Sequence, residues 1–464
     1  MKREQRSGRG IRTALLPSSR GLTRRAFLNG IASVGSLSAL GCLRPPTSGS
    51  ALGYGSLRPV ADETTGLRLL ELPAGFRYLS FGWTGDPMED GTITPRAHDG
   101  MCAFPGDDGR VRLVRNHERR SDSGRFSDAA PHYDPAASGG TSNLEFDPGR
   151  GEFLRAWPSL TGTLSNCAGG GTPWGSWLSC EETIEGVGSN RYPKLQKRHG
   201  YVFEVPADAT SDAVALRDMG RFVHEAVAID PHTGTAYLTE DAGESGLYRF
   251  TPTTPAKLVD GGRLEMLAGS EQPRFDTRTG QSAGASYAVH WVPIQEPDPD
   301  EPRSQGTFRQ GLELGGSIFL RLEGAFFFEG LLYFVSTTGG EAHSGQIWVY
   351  DPAQERLHLL FESPHAAVLD HPDNITVSPR GGIVLCEDGN DTEFLHGLTR
   401  DGEIFRFCQN RVVLLGQRNG LLGDFTGGEF AGACFDPSGQ WLFVNIQNPG
   451  ITFAITGPWE RGPL

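Results

Sequence analysis

Three strand-like runs in this chain end the same way: Trp177-Leu178-Ser179-Cys180-Glu181-Glu182, Tyr237-Leu238-Thr239-Glu240-Asp241 and Val384-Leu385-Cys386-Glu387-Asp388. Each is apolar, then small or thiol-bearing, then a doublet of acids. Other acids stand equally close to apolar runs: Glu118 after Asn116-His117, Glu225 after His224, Glu323 in Arg321-Leu322-Glu323-Gly324, Asp373 before Asn374-Ile375, and Glu429 before Phe430. Carboxylates gathered away from water repel one another and carry a desolvation cost, so they must be protonated, paired with basic groups or bound to cations. Too few Lys and Arg stand nearby to pair them all. Oxygen ligands in such number suit calcium, whereas a thiolate and imidazoles favour a softer transition metal, so the pattern points to a mixed metal site.

Neighbours on a strand face opposite ways, so one member of each doublet and of each His-Glu pair belongs at such a site. The expected metal ligands are Cys180, Glu181, Glu225, Glu323, Glu118, Glu240, Glu387 and Glu429. For His117-Glu118 and His224-Glu225 the carboxylate is taken as the inward member. Trp174 and Trp177 read as packing residues. Asn166 and Asn374 fit either turn positions or contacts to a ligand, and Asn166 is carried as a candidate catalytic residue.

What would bring these strand ends together is legible in the turns. Phe146-Asp147-Pro148-Gly149, Ile229-Asp230-Pro231-His232-Thr233-Gly234, Tyr350-Asp351-Pro352, Val377-Ser378-Pro379-Arg380-Gly381 and Phe435-Asp436-Pro437-Ser438-Gly439 each follow one strand-like run, and most precede another. Asp bonds its local backbone, Pro presets φ and Gly accepts positive φ, so these are hairpins. Similar hairpins at irregular spacing over some 400 residues predict an all-β fold, a β-propeller of six blades with unequal insertions. Its inner strands would deliver their ends to one channel mouth. The Pro-rich stretch 295–309 reads as a surface insertion.

The 464 residues are 37% hydrophobic with 63 Gly and 31 Pro, enough for one large domain of short strands and tight turns. A formal charge of −14 argues against nucleic acid, which calls for a basic stripe. The N-terminus resembles a twin-arginine export signal: Thr23-Arg24-Arg25-Ala26-Phe27-Leu28 follows a basic, Ser-rich lead and precedes an apolar stretch from Ile31 to Gly41. The expected organisation is a signal over 1–42, a flexible linker over 43–60 and a single propeller over 61–464. Removing the signal takes the formal charge from −14 to −21. This export route carries folded proteins, which fits a metal loaded in the cytoplasm. Cys42 offers a lipidation site. Seven cysteines form no CxxC pair, which removes zinc-ribbon and thioredoxin readings and leaves a disulfide involving Cys167 open.

Taken in order, Asn116-His117-Glu118, Asn166-Cys167-Ala168-Gly169-Gly170, Thr172-Pro173-Trp174-Gly175 with Cys180-Glu181-Glu182, His199-Gly200-Tyr201-Val202-Phe203-Glu204, Gly220-Arg221-Phe222-Val223-His224-Glu225-Ala226, Arg321-Leu322-Glu323-Gly324 and Phe443-Val444-Asn445-Ile446-Gln447-Asn448-Pro449-Gly450 resemble the PhoX-type alkaline phosphatase family. The likeness spans most of the chain after residue 60; Asn448 departs from the His of the family's closing Gln-His-Pro-Gly. The resemblance implies a periplasmic or secreted propeller phosphatase that uses iron and calcium on small phosphate-ester substrates. On it, Cys180 would hold iron, Glu225 and Glu323 would bind or bridge metals, Arg321 would contact the substrate phosphate, and Glu118, Glu181 and Glu429 would be calcium or supporting ligands. The chain is expected to act as a monomer, with the twin-arginine machinery as its partner in transit and no transmembrane segment once mature. Two other readings stand beside this one: a calcium-dependent lactonase or phosphotriesterase propeller, which would not need Cys180, and a non-catalytic propeller whose ions only stabilise the channel.

Overall fold

The structure is a computed structural model and describes residues 52–302 and 306–464. The twin-arginine segment and Cys42 lie outside the described residues. The fold is mostly β, in short antiparallel runs joined by hairpins. The runs begin at the strands His98–Pro105, Asn166–Gly171, His224–Ile229, Leu322–Phe328, Pro372–Val377 and Phe430–Phe435. Each of these strands pairs with the next in sequence, and all six lie side by side in a closed ring around a cavity of about 520 Å³. The sheets radiate from it in a propeller-like arrangement. Ser286–Pro293 fuses the third and fourth runs into one nine-stranded sheet. The last run is completed by Arg77–Phe81 from the N-terminal side, paired with Ile451–Thr456, so the two ends of the domain close the ring.

Apolar residues from facing sheets interlock between the runs. Leu178, Cys180, Val227, Leu238, Tyr248 and Phe250, for example, form one continuous cluster with no side chain more than 1% exposed. Burial of each large side chain contributes about 1.5–3 kcal/mol. This is why the inner runs read as near-continuous hydrophobic stretches: both faces of the sheets around the ring are covered there. Residues 52–60, expected as flexible linker, are instead built into the domain. Tyr54 donates its hydroxyl to the carbonyls of Trp459 and Leu464 at 3.0 Å each and lies edge-on to Phe76, Phe407 and Trp459, while Arg58–Val60 pairs with Leu70–Leu72. The Pro-rich insertion is anchored by Asp298, which accepts from Tyr201, Arg198 and Arg217. No helix among the described residues is long and apolar enough to cross a membrane.

All six inner strands break register near their start. Pairing steps from His98 to Met101 while the partner steps only from His117 to Arg115, and the same slip recurs at 166/169, 224/227, 322/325, 372/375 and 431/434. Each slip is a β-bulge, two residues opposed by one, which bends the strand and re-aims a side chain. In five of the bulges the second residue is Gly or Ala, because the strands converge there; in the other it is Asn374, whose Oδ1 accepts from the N–H of Gly432. A Cβ on Gly324 would lie 2.7 Å from the carbonyl of Asp373, and one on Gly100 would lie 2.6 Å from the Cα of Ala168.

Candidate functional site

The first residues of five bulges are Asp99, Cys167, Glu225, Glu323 and Asp373, and all five reach the channel mouth. In the sixth, Gly432 stands at φ 62° against the carbonyl of Asp99, where no side chain fits, and Glu429 reaches the mouth from just before the strand. The ends of the second strands add Glu118, Glu182, Asp241 and Asp388. Cys167 Sγ and carboxylate oxygens of Glu182 and Glu225 lie within 4.8 Å of one another, and so do those of Glu225, Glu323 and Asp373. Glu225 belongs to both trios and is the centre of the site.

Electrostatics follow from this crowding. Burial, reinforced by facing carboxylates, holds Glu225, Glu323, Asp373, Asp99, Glu182 and Glu429 well above the usual carboxylate range. Glu118 is pushed up to about 7 by burial and by Asp99. Burial and the Glu225 charge also hold the Cys167 thiol far up. Two guanidiniums oppose the acids. Arg321 donates Nε and Nη2 to Asp241 at 2.8 and 3.1 Å and Nη2 to Glu323 at 2.7 Å. Its backbone sits at φ 48°, a left-handed conformation that costs a non-glycine residue about 1 kcal/mol. Its own N–H to Ala242 and the N–H of Thr337 to its carbonyl hold it there. Arg120 bridges Glu118 and Glu182, with Nε and Nη2 each at 2.5 Å.

The bulge that aims Cys167 is clamped from the neighbouring sheet. Asn116 donates both amide hydrogens, to the carbonyls of Cys167 and Ala168 at 2.8 Å each, and accepts from Trp177 Nε1 at 2.9 Å and Ser179 Oγ at 2.8 Å. Asn166 belongs to this scaffold and not to the mouth: it donates to Ser179 Oγ at 2.8 Å and accepts from Thr163 Oγ1 at 2.6 Å.

Of the residues expected at the site, Glu118, Glu225, Glu323, Glu429 and Arg321 are brought together. Cys180, Glu181, Glu240, Glu387 and Asn166 are not. Cys180 lies opposite the Cys167 bulge with its thiol in the apolar core; the thiol at the mouth is Cys167. In each doublet the first acid faces away from the mouth and ties down a loop. Glu181 accepts from the N–H groups of Leu164 and Gly200 and from His199, Glu240 from Gly246 N–H and the Tyr248 hydroxyl, and Glu387 from the N–H groups of Asp370 and Phe394. The second acid, Glu182, Asp241 or Asp388, faces in. His117 and His224 also face away, bonded to Ser142 Oγ and to the carbonyl of Gly220. Asp99 and Arg120 escaped the sequence reading altogether. The recoverable signal is an acid or thiol followed by Gly, Ala or Asn at the head of an inner strand, because that pair is what a bulge at a crowded mouth accepts. All six described cysteines are free, so no disulfide forms among them.

The donor set fits cations. Ligands bonded to one ion at roughly 2.0–2.4 Å lie no more than about 4.8 Å apart, the spacing both trios show. A thiol in one trio and carboxylates alone in the other suit ions of different softness. The arrangement is able to gather positive charge at a water-accessible mouth between two half-exposed arginines, which is what an anionic ester requires.

Comparison with known proteins agrees with this picture. A vanadate complex of Pseudomonas fluorescens PhoX shares the fold, with a TM-score of 0.61 and 16% identity over 89% of this chain and 99% of that one. A virginiamycin B lyase from Staphylococcus aureus aligns with a TM-score of only 0.38 and 11% identity, over 82% of this chain and 99% of that one. No curated protein matches the sequence. The family model described as alkaline phosphatase PhoX matches residues 52–154 and 148–450, and the chain therefore belongs to the PhoX alkaline phosphatase family, whose members are phosphomonoester hydrolases.

Proposed function

We propose that this protein hydrolyses phosphate monoesters at the channel mouth with iron and calcium held by Cys167, Glu182, Glu225, Glu323 and Asp373. The observation that carries the reading is the sharing of Glu225 between a thiol-containing and an all-carboxylate trio. Bound cations would neutralise the phosphoryl oxygens and activate the attacking water. The chain's own groups do the rest. Cys167 takes the ligand role first expected of Cys180, and Glu182, Asp241 and Asp388 take the places expected of Glu181, Glu240 and Glu387. Arg321, locked side-on against Asp241 and Glu323, keeps Nη1 free to hold a phosphoryl oxygen, a task that suits a planar guanidinium better than an ammonium. That the P. fluorescens relative takes vanadate, a transition-state analogue there, supports the phosphoryl-transfer reading.

The proposal extends to architecture and location. Six inner strands with six equivalent bulges support a six-bladed propeller, and the N-terminal Arg24-Arg25 motif supports twin-arginine export of a monomer to the periplasm or beyond, with Cys42 available for lipidation. The deciding experiment measures metal content together with turnover of a simple phosphomonoester, a diester and a lactone, with and without chelator. Iron and calcium in the protein, monoester turnover lost on chelation, and loss of iron in Cys167→Ser but not in Cys180→Ser are the expected results. Calcium alone, with full activity in Cys167→Ser, would remove the iron assignment; lactone turnover without ester turnover would remove the phosphatase.

A further inference from the structure

Arg120 and Arg321 stand in matching relations to the site. Each holds two mouth carboxylates through Nε and Nη2, Arg120 with Glu118 and Glu182 and Arg321 with Asp241 and Glu323. Each leaves Nη1 without a partner among the described residues, and the two side chains are 49% and 39% exposed. They end a row whose three inner members are Glu182, Glu225 and Glu323, since Glu225 lies within 4.8 Å of both other acids. Asp388 feels both guanidiniums. A side-on pair fixes the plane of a guanidinium, so the remaining N–H groups are aimed before any ligand arrives. Glu118 does not depend on Arg120 alone, because Gln447 Nε2 also donates to it at 2.9 Å. Against an acidic mouth in a chain of formal charge −14, a dianionic ester needs positive groups that face outward, and these two arginines do so at opposite ends of the row.

We propose that Arg120 is a second substrate-contacting residue, binding a phosphoryl oxygen from the Glu182 end of the row while Arg321 binds from the Glu323 end. This rests on the phosphatase reading. The test uses the full, metal-loaded chain and three measurements on wild type, Arg120→Met and Arg120→Lys: metal content, vanadate affinity and kcat/KM for a small aryl phosphate. Arg120→Met should weaken vanadate at least tenfold and lower kcat/KM on the order of 10²-fold with metal content unchanged, and Arg120→Lys should recover part of both. Unchanged vanadate affinity at unchanged metal content overturns the proposal. So does a gain of about one calcium ion per chain in Arg120→Met, which would make the guanidinium a stand-in for a cation, and so does a loss of metal, which would make it a support for Glu118 and Glu182. If Arg120→Met does not fold, the lysine variant decides, since it keeps the charge and loses the fork. Absence of ester turnover in the wild type would sink the phosphatase reading and leave the vanadate titration to decide Arg120 by itself.

Discussion

Glu181 and Glu182 are neighbours on one strand, yet they live in opposite environments. Glu181 faces a pocket lined with N–H groups and shares a proton network with His199 and Asp134, all fully buried. Glu182 faces other carboxylates, and among the described residues the basic group bonded to it is Arg120. The same split separates Glu240 from Asp241 and Glu387 from Asp388. The outward member is satisfied by donors of the loop after the strand and stiffens it; the inward member is turned toward other carboxylates, a crowding that Arg120 and Arg321 offset at Glu182 and Asp241 and that a cation would relieve further. A buried carboxylate therefore says little about function until its donors are counted.

The largest expected effect tests the inward side at its centre. Glu225→Gln should lose metal from both trios and lower monoester turnover on the order of 10³-fold, with circular dichroism unchanged; retained metal and turnover would dissolve the distinction. Next, Glu181→Gln and Glu182→Gln should fail in opposite ways. Removing the Glu181 charge strands His199 and should cost about 3–5 kcal/mol in denaturant unfolding while the folded fraction keeps its metal. Glu182→Gln should lose metal and leave the chelated protein no less stable.

A smaller effect comes from pH. Glu181 and Asp134, outweighing burial, raise His199 to about 9, above its usual 6.5, so its stabilisation is complete below pH 6.5 and is lost as pH rises through 9. Denaturant midpoints should fall between pH 7 and 10, and His199→Asn should flatten that slope at a lower overall midpoint. The smallest effect belongs to Glu240, raised by burial to about 7. Its folded form resists ionisation, so the stability it contributes is complete below its usual 4.5 and is lost as pH rises from there through 7. Glu240→Gln should be near neutral at pH 4 and more stable than wild type at pH 9 by on the order of 2–3 kcal/mol, with metal content intact.

The recurring apolar runs with acidic ends, and the Asp-Pro turns between them, were sufficient to read a propeller-like fold and a crowded acidic mouth. Glu118, Glu225, Glu323 and Glu429 were legible because each stands against a hydrophobic stretch that leaves it little solvent, and Arg321 was legible through the family resemblance. Which member of a doublet faces in was not, since alternation supplies two answers and only the register of the neighbouring strand selects one. Cys167 was hidden for a related reason: it heads a Gly-rich strand with no apolar run before it, while Cys180 sits at the more conspicuous end of the strand opposite.

Composition, turn chemistry and hydrophobic pattern are local properties, and they were enough to set strand content and the acidic character of one end, while the ordered motifs carried the family resemblance. Facing directions, bulge positions and the pairing of Arg120 with Glu118 and Glu182 depend on how six strands converge. A one-residue slip exchanges every inward side chain for an outward one, and only the closed ring determines where the slips fall.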